Sequence, residues 1–364
     1  MLFTFRLIVF LSLLWSVSAG IAAGPAPSRS AQGTQACAAV TPATCALAQA
    51  LGKGINMGNM LDAPREGDWG VRMDALYPYL VADKFDTVRL PVRWSNHAAL
   101  TADATLDDAF VRRVDGIVDD FLERGMFVIL NAHHYGQLFG SPLAANEPAV
   151  DEAVVETRLV NIWRQLGERY KNRSPKLIFE LLNEPQGRLD GEPWNRLAPR
   201  LLAAVRSSNP ARAVMIGPSY WNNAVHLPLL RLPRDRNLIV AVHNFHPFEF
   251  THQGEDSRKP PFPVGITCCD ARQRKEIAAQ FEEAERWSRA NGYPLHLGEF
   301  GVFHKADPAS RAAYVTVVRE EAERRGIGWA YWEFASTFGV YTPKTREWVE
   351  PLKRALVEPI TRTP

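Results

Sequence analysis

The stretch Leu177-Ile178-Phe179-Glu180-Leu181-Leu182-Asn183-Glu184-Pro185 is a short, largely apolar run that ends on an amide, a carboxylate and a proline. A run of that length, Leu177–Leu182, fits a buried strand, and the polar residues after it stand at the edge of a low-dielectric interior. Seven more runs share the pattern: Gly52–Asn56, Thr87–Pro91, Met126–Asn131, Ala213–Gly217, Leu238–Val242, Leu295–Gly298 and Gly328–Tyr331. Between most of them lie segments of helical period: Asp107–Arg124, Asp151–Lys171, Trp194–Ser208, Arg272–Asn291 and Pro308–Arg325. Each of these is polar on one face and apolar on the other. Repeated strand-then-helix units predict an α/β fold, a closed parallel (β/α)8 TIM barrel in a single domain. An open doubly wound sheet would carry a glycine-rich phosphate loop after its first strand. Gly54-Ile55-Asn56-Met57-Gly58 lacks that spacing, and no phosphate-loop motif occurs elsewhere.

Composition agrees with one large core. The 364 residues are 46% hydrophobic and 23% charged, which excludes disorder as the main state. Lys+Arg 42 against Asp+Glu 40 leaves +2, with the basic residues scattered singly, so neither nucleic acid nor an anionic membrane is an expected partner. The longest irregular stretch, Glu249 to Asp270, contains Pro260, Pro261 and Pro263 and is expected to form a lid-like loop after strand six.

The amino terminus reads as an export signal. Arg6 supplies the charge, Leu7 to Val17 the apolar run and Ser18-Ala19-Gly20 the small residues, with cleavage expected between Ala19 and Ala23. That run is too short to span a bilayer, which needs about 20 residues. The expected organisation is a signal peptide over 1–23, a leader over 24–45 and the barrel over 46–364, secreted or periplasmic and monomeric. Cys37, Cys45, Cys268 and Cys269 permit three pairings in an exported chain. A vicinal Cys268–Cys269 bond is strained, so the expectation is one or two bridges joining the amino-terminal segment to itself or to the 268–269 loop.

Polar residues collect where the expected strands end, the place where barrel enzymes keep their chemistry. Arg89 closes strand two, His133 and His134 follow strand three, and Asn183 and Glu184 follow strand four. His243 and His246 follow strand six, Glu299 strand seven and Trp332 strand eight. Glu184 and Glu299 could flank a glycosidic bond, one as proton donor and one as nucleophile, with the gap between them deciding between retention and inversion. Arg89 is expected to pair with one carboxylate and keep it ionised while the other holds its proton. Asn183 can donate to a sugar 2-hydroxyl, and Trp332 offers a face on which a pyranose can stack. Trp69, Trp94, Trp221, Tyr135 and Phe250 are candidates to extend that platform. The rival use of the histidines is a metal centre with Glu184 or Glu299. Against it, strand one contributes Asn56 and strand eight Trp332, where a barrel metal site has H-x-H and Asp; no metal and no cofactor is expected. No G-x-S-x-G elbow is present.

Taken together, Val88-Arg89-Leu90-Pro91-Val92, Asn131-Ala132-His133-His134, Leu182-Asn183-Glu184-Pro185, His243 to Gly254, Gly298-Glu299-Phe300-Gly301 and Tyr331-Trp332-Glu333-Phe334 resemble glycoside hydrolase family five, the cellulase-type retaining barrel enzymes. The strings are short, but their order matches from about Gly52 to the end. The resemblance implies Glu184 as acid/base and Glu299 as nucleophile. It implies Arg89, His133, Asn183, His243 and Trp332 as further active-site positions and His134 as a sugar contact. One departure stands out. The family usually has His-x-Tyr after strand six, its hydroxyl donating to the nucleophile, whereas this chain has His243-Asn244-Phe245. The loss of that donor should raise the pKa of Glu299 unless another group substitutes, His246 being the nearest candidate. The implied substrate is a β-linked polysaccharide, with β-1,4-glucan preferred over mixed-linkage glucan, xyloglucan, mannan or an exopolysaccharide. A barrel that binds glycan without turning it over is the alternative from another class.

Overall fold

The computed structural model describes residues 36–256 and 259–360. The export-signal and leader readings for residues 1–35 lie outside the described residues. Eight strands close a parallel barrel in chain order: β1 (Lys53–Asn56), β2 (Thr87–Leu90), β3 (Phe127–Asn131), β4 (Leu177–Glu180), β5 (Val214–Ile216), β6 (Leu238–His243), β7 (Leu295–Glu299) and β8 (Gly328–Tyr331). Closure is made by β1 against β8, with Ile55 opposite Tyr331. Seven of the eight expected runs shift by one or two residues at an end, and the eighth, β8, matches outright. Strands buried on both faces need apolar residues throughout, which is why they read as runs rather than alternations.

The described helices are α1 (Pro42–Ala50), α2 (Tyr77–Val81), α3 (Asp108–Glu123), α4 (Gly136–Phe139), α5 (Val155–Tyr170), α6 (Glu192–Arg206), α7 (Phe248–Thr251), α8 (Ala271–Asn291), α9 (Pro308–Glu323) and α10 (Glu350–Val357). In α3 the buried residues Val111, Val114, Ile117, Val118 and Phe121 form one stripe, and the Asp107 carboxylate caps the amino end by accepting from the N–H groups of Ala109 and Phe110. Helix α8 starts with a capping box between Asp270 and Gln273. Between β5 and β6 the link is one 3-10 segment, Ala224–Leu229. Among the described residues, no helix is long and apolar enough to cross a membrane.

Two expectations need correction. The leader boundary at residue 46 falls inside α1, which is capped by the Thr41 side chain and has proline in its first turn. Ala48 and Leu51 pack with Ile129, Ile178, Met215 and Ile239, so α1 belongs to the barrel floor rather than to a leader. The disulfides are Cys37–Cys45 and Cys268–Cys269. The first matches the expected local loop; the second is the vicinal pair that was disfavoured. Once Cys37 and Cys45 close their own loop, each remaining cysteine has only the other as partner.

Candidate active site

At the carboxyl ends of the strands lies a cleft of about 920 Å³, lined among others by His133, His134, Asn183, Glu184, Trp221, His243, Glu299 and Trp332. Of the eight expected site residues, seven line it, and the eighth, Arg89, lies fully buried directly beneath. Arg89 spends all five guanidinium N–H donors on side chains. Nε and Nη2 grip both oxygens of Glu180 at 2.7 and 2.9 Å; Nη1 reaches Glu299 Oε1 at 2.5 Å and Asn56 Oδ1 at 2.9 Å; and Nη2 also reaches Asn183 Oδ1 at 2.7 Å. That last bond fixes the Asn183 amide, leaving its N–H groups for the cleft.

Glu184 sits in a left-handed backbone conformation, φ 44°, just past β4, and its Oε1 meets His243 Nδ1 at 2.8 Å. The same Nδ1 lies 3.8 Å from Glu299 Oε2. Glu184, His243 and Glu299 bring ligand-type atoms within 4.8 Å of one another. An oxygen of Glu184 thus lies within 4.8 Å of one of Glu299, a close pair of the kind retention uses rather than the wider gap of about 6.5–9.5 Å that inversion keeps for its water.

Burial dominates the electrostatics. It pushes Glu184 up to about 8, against the pull of Arg89 and with help from Glu180. It pushes Glu299 up to about 7, opposed by His243 and Arg89. The expectation that Arg89 would hold its carboxylate low is thus corrected. Its charge is shared with Glu180, and desolvation outweighs the remainder. The order survives, because Glu299 has the guanidinium bond and Glu184 does not.

His133 stacks parallel to Trp332 with centroids 5.4 Å apart, and Trp332 rests on Gly58, where a Cβ would come within 2.5 Å of the indole. His134 stands edge-on to Trp69 at 5.6 Å, with its Nε2 3.9 Å from Asp62 Oδ2. Asp62, His133 and His134 bring possible metal-ligand atoms within 4.8 Å of one another. The hydrogen bonds speak against that use. Asn131 Oδ1 accepts from the Val92 N–H, so its Nδ2 donates to His133 Nδ1 and leaves the ring proton on Nε2, a donor and not a ligand.

Other expectations divide. Trp221 is 51% exposed on the cleft wall and Trp69 38% exposed beside His134, whereas Trp94, Tyr135 and Phe250 are buried in the core. His246 does not replace the missing tyrosine: its Nε2 faces Asn223 Nδ2 at 3.5 Å. Phe245 packs edge-on to His252 and Phe338. The expected lid is pinned, since Gln253 accepts from the N–H groups of Gly265 and Ile266 and donates to Phe250 O and Ile266 O. Sequence reasoning missed Glu180, Asn56 and Asn222. Glu180 carried a signal, a charge inside an apolar run; an asparagine in a loop carries none.

A closed (β/α)8 barrel with paired carboxylates just past β4 and at the end of β7 is built on the glycosidase pattern. The sequence model of the family described as cellulase, glycosyl hydrolase family 5, matches residues 49–337, and the chain belongs to that family. It is 33% identical over 324 residues to Endoglucanase H of Acetivibrio thermocellus, covering 85% of this chain and 33% of that protein. Thermotoga maritima Cel5A, solved in complex with cellobiose, superposes with a TM-score of 0.80 at 36% identity, covering 86% of this chain and 99% of that one. The cellulose synthase subunit Z of Clostridioides difficile gives 0.78 at 34% identity, covering 85% of this chain and 100% of that one. The chain spans about a third of the length of Endoglucanase H and 65% of that of Endoglucanase A of Clostridium longisporum.

Proposed function

We propose that the protein is an endo-acting retaining glycoside hydrolase that cleaves β-1,4-glucosidic bonds by double displacement. The observation that carries this reading is the Glu184–Glu299 pair, with oxygens within 4.8 Å at the mouth of the barrel and only Glu299 bonded to Arg89. Glu299, the more readily ionised of the two, attacks the anomeric carbon. Glu184, which keeps its proton to higher pH, protonates the departing glycosidic oxygen. In the second half Glu184, now a carboxylate, takes a proton from water as that water displaces Glu299 from the sugar. The Asn183 amide donates to the 2-hydroxyl, a bond that tightens as positive charge grows on the ring. His133 Nε2–H and His134 meet sugar hydroxyls, and Trp332 receives the apolar face of the pyranose.

β-1,4-Glucan as the substrate is supported by relatives named endoglucanases and by the cellobiose complex of a similar structure. A polymer of that kind fits the export signal read in residues 1–23. The test is reducing-end release from carboxymethylcellulose, barley β-glucan, xyloglucan, glucomannan and xylan, comparing wild type with Glu299→Gln. Release from a glucan by wild type alone is expected. No release from any substrate, with the two proteins binding glycan alike, would overturn the reading in favour of a binding protein.

A further inference from the structure

His243 Nδ1 lies 2.8 Å from Glu184 Oε1 and 3.8 Å from Glu299 Oε2, between the two carboxylates. Which of its nitrogens carries the proton decides what it can do there. Behind the ring lies Asn222, fully buried, with Nδ2 3.4 Å from His243 Nε2. In the orientation the Asn222 amide takes, its N–H addresses Nε2 and calls for a lone pair on that nitrogen, which places the proton on Nδ1.

The backbone is shaped to hold that amide. Tyr220, Trp221 and Asn222 are three successive left-handed residues, φ 60, 58 and 54°, a conformation costly for non-glycine residues and rarely kept without a reason. The segment is tied to both sides of the site. Trp221 N–H donates to Pro185 O, next to Glu184, and Asn222 O accepts from His243 N–H at 2.9 Å. Gly217 makes the space: a Cβ there would stand 2.2 Å from Asn222 Oδ1.

We propose that Asn222 is a positioning residue that fixes the His243 proton on Nδ1, where it is donated to Glu184 Oε1 and leaves Glu184 Oε2 to carry the proton given to the leaving group. The proposal rests on Glu184 being the acid. As Glu184 loses its proton, the Nδ1–H bond stabilises the new carboxylate, and the same N–H faces the Oε2 of Glu299. In a site with no hydroxyl at Phe245, that N–H is bonded to Glu184 and stands 3.8 Å from Glu299. The charged and titratable groups around His243 are Glu184 just past β4, Arg89 from β2, His133 after β3, Glu180 from β4 and Glu299 and His296 from β7. Burial and Arg89 act on the ring regardless of Asn222; only the tautomer depends on it.

The experiment reads tautomer and acid catalysis together. In ¹⁵N-histidine-labelled wild type at neutral pH, His243 is expected to show a protonated Nδ1 and a bare Nε2, and a proton on Nε2 instead overturns the proposal before any variant is made. Asn222→Ala is then assayed on phenyl β-cellobioside, whose leaving group needs a proton, and on dinitrophenyl β-cellobioside, whose leaving group does not. The expected loss is roughly tenfold in kcat/KM, which reports the leaving-group step alone, on the first and under about threefold on the second. Because a bond to the charged form is lost, the alkaline limb of kcat/KM should move to higher pH. Equal losses on both substrates, or an unmoved limb, overturn the proposal. Glu184→Ala provides the control. If it too loses equally in kcat/KM, which reports only the first step, on both substrates, the acid assignment falls and this proposal with it; if it discriminates while Asn222→Ala does not, only the proposal falls.

Discussion

Two arginines buried at opposite ends of one barrel use the same side chain in different ways. Arg89, at the mouth, grips Glu180 and Glu299 as well as two amides. Arg212, at the floor just before β5, also uses five donors, but on Asn209 Oδ1 and on the backbone carbonyls of Tyr170, Arg173, Ser174 and Leu177. No carboxylate is among them, and burial pulls Arg212 down to about 10. Burial also opposes the charge of Arg89, but Glu180 and Glu299 outweigh it and hold its pKa above the usual value. The floor uses a cation to tie chain ends together. The mouth uses one to set the charge of a reacting group, in line with the division of barrels into a stability face and a catalytic face.

The comparison is tested hardest at the mouth. Glu299→Gln, which keeps the shape and removes the proposed nucleophile, should lower kcat by about 10⁴-fold or more in steady-state assays while leaving the melting temperature nearly unchanged. Arg89→Lys should follow with a loss of about 10²–10³-fold, since one ammonium cannot replace a fork shared by two carboxylates. The matching Arg212→Lys should cost about 2–3 kcal/mol in urea unfolding with kcat per folded molecule unchanged. If Arg212→Lys lowers kcat as much as Arg89→Lys does, the division between floor and mouth is wrong.

Protonation sharpens the contrast. In the proposed roles Glu299 acts as a carboxylate with its pKa raised to about 7, so activity should fall as pH drops through that value, and Glu184 acts as an acid with its pKa raised to about 8, so activity should fall as pH rises through it. A bell-shaped kcat/KM profile centred between the two is expected, and one flat down to pH 5 would contradict the burial argument. The smallest effect belongs to the exposed wall: Trp221→Ala should raise KM for cello-oligosaccharides about threefold and leave kcat alone.

Most of the fold was legible because hydrophobic periodicity is local. The eight strands and five long helices lie within a few residues of where the runs and stripes placed them. The residues that line the cleft were legible for the same reason, since a polar group directly after an apolar run marks the mouth of a barrel. What could not be read was contact. Glu180 stood in plain view inside the run that ends in Glu184, yet only barrel closure shows it holding Arg89. Asn222 lies 21 residues from His243, and nothing local links the two. The vicinal disulfide and the place of α1 in the floor were misjudged likewise, each depending on which distant segments meet.

By itself, then, the sequence determined the barrel, its order of strands and the identity of the groups at the mouth, because each follows from patterns within about ten residues. Tertiary structure decided how those groups are charged and aimed: the spacing of Glu184 and Glu299, the sharing of Arg89 with Glu180, and the ring nitrogen Asn222 addresses on His243. Those are energies of burial and of short distances between strands far apart in the chain. They exist only once the barrel closes.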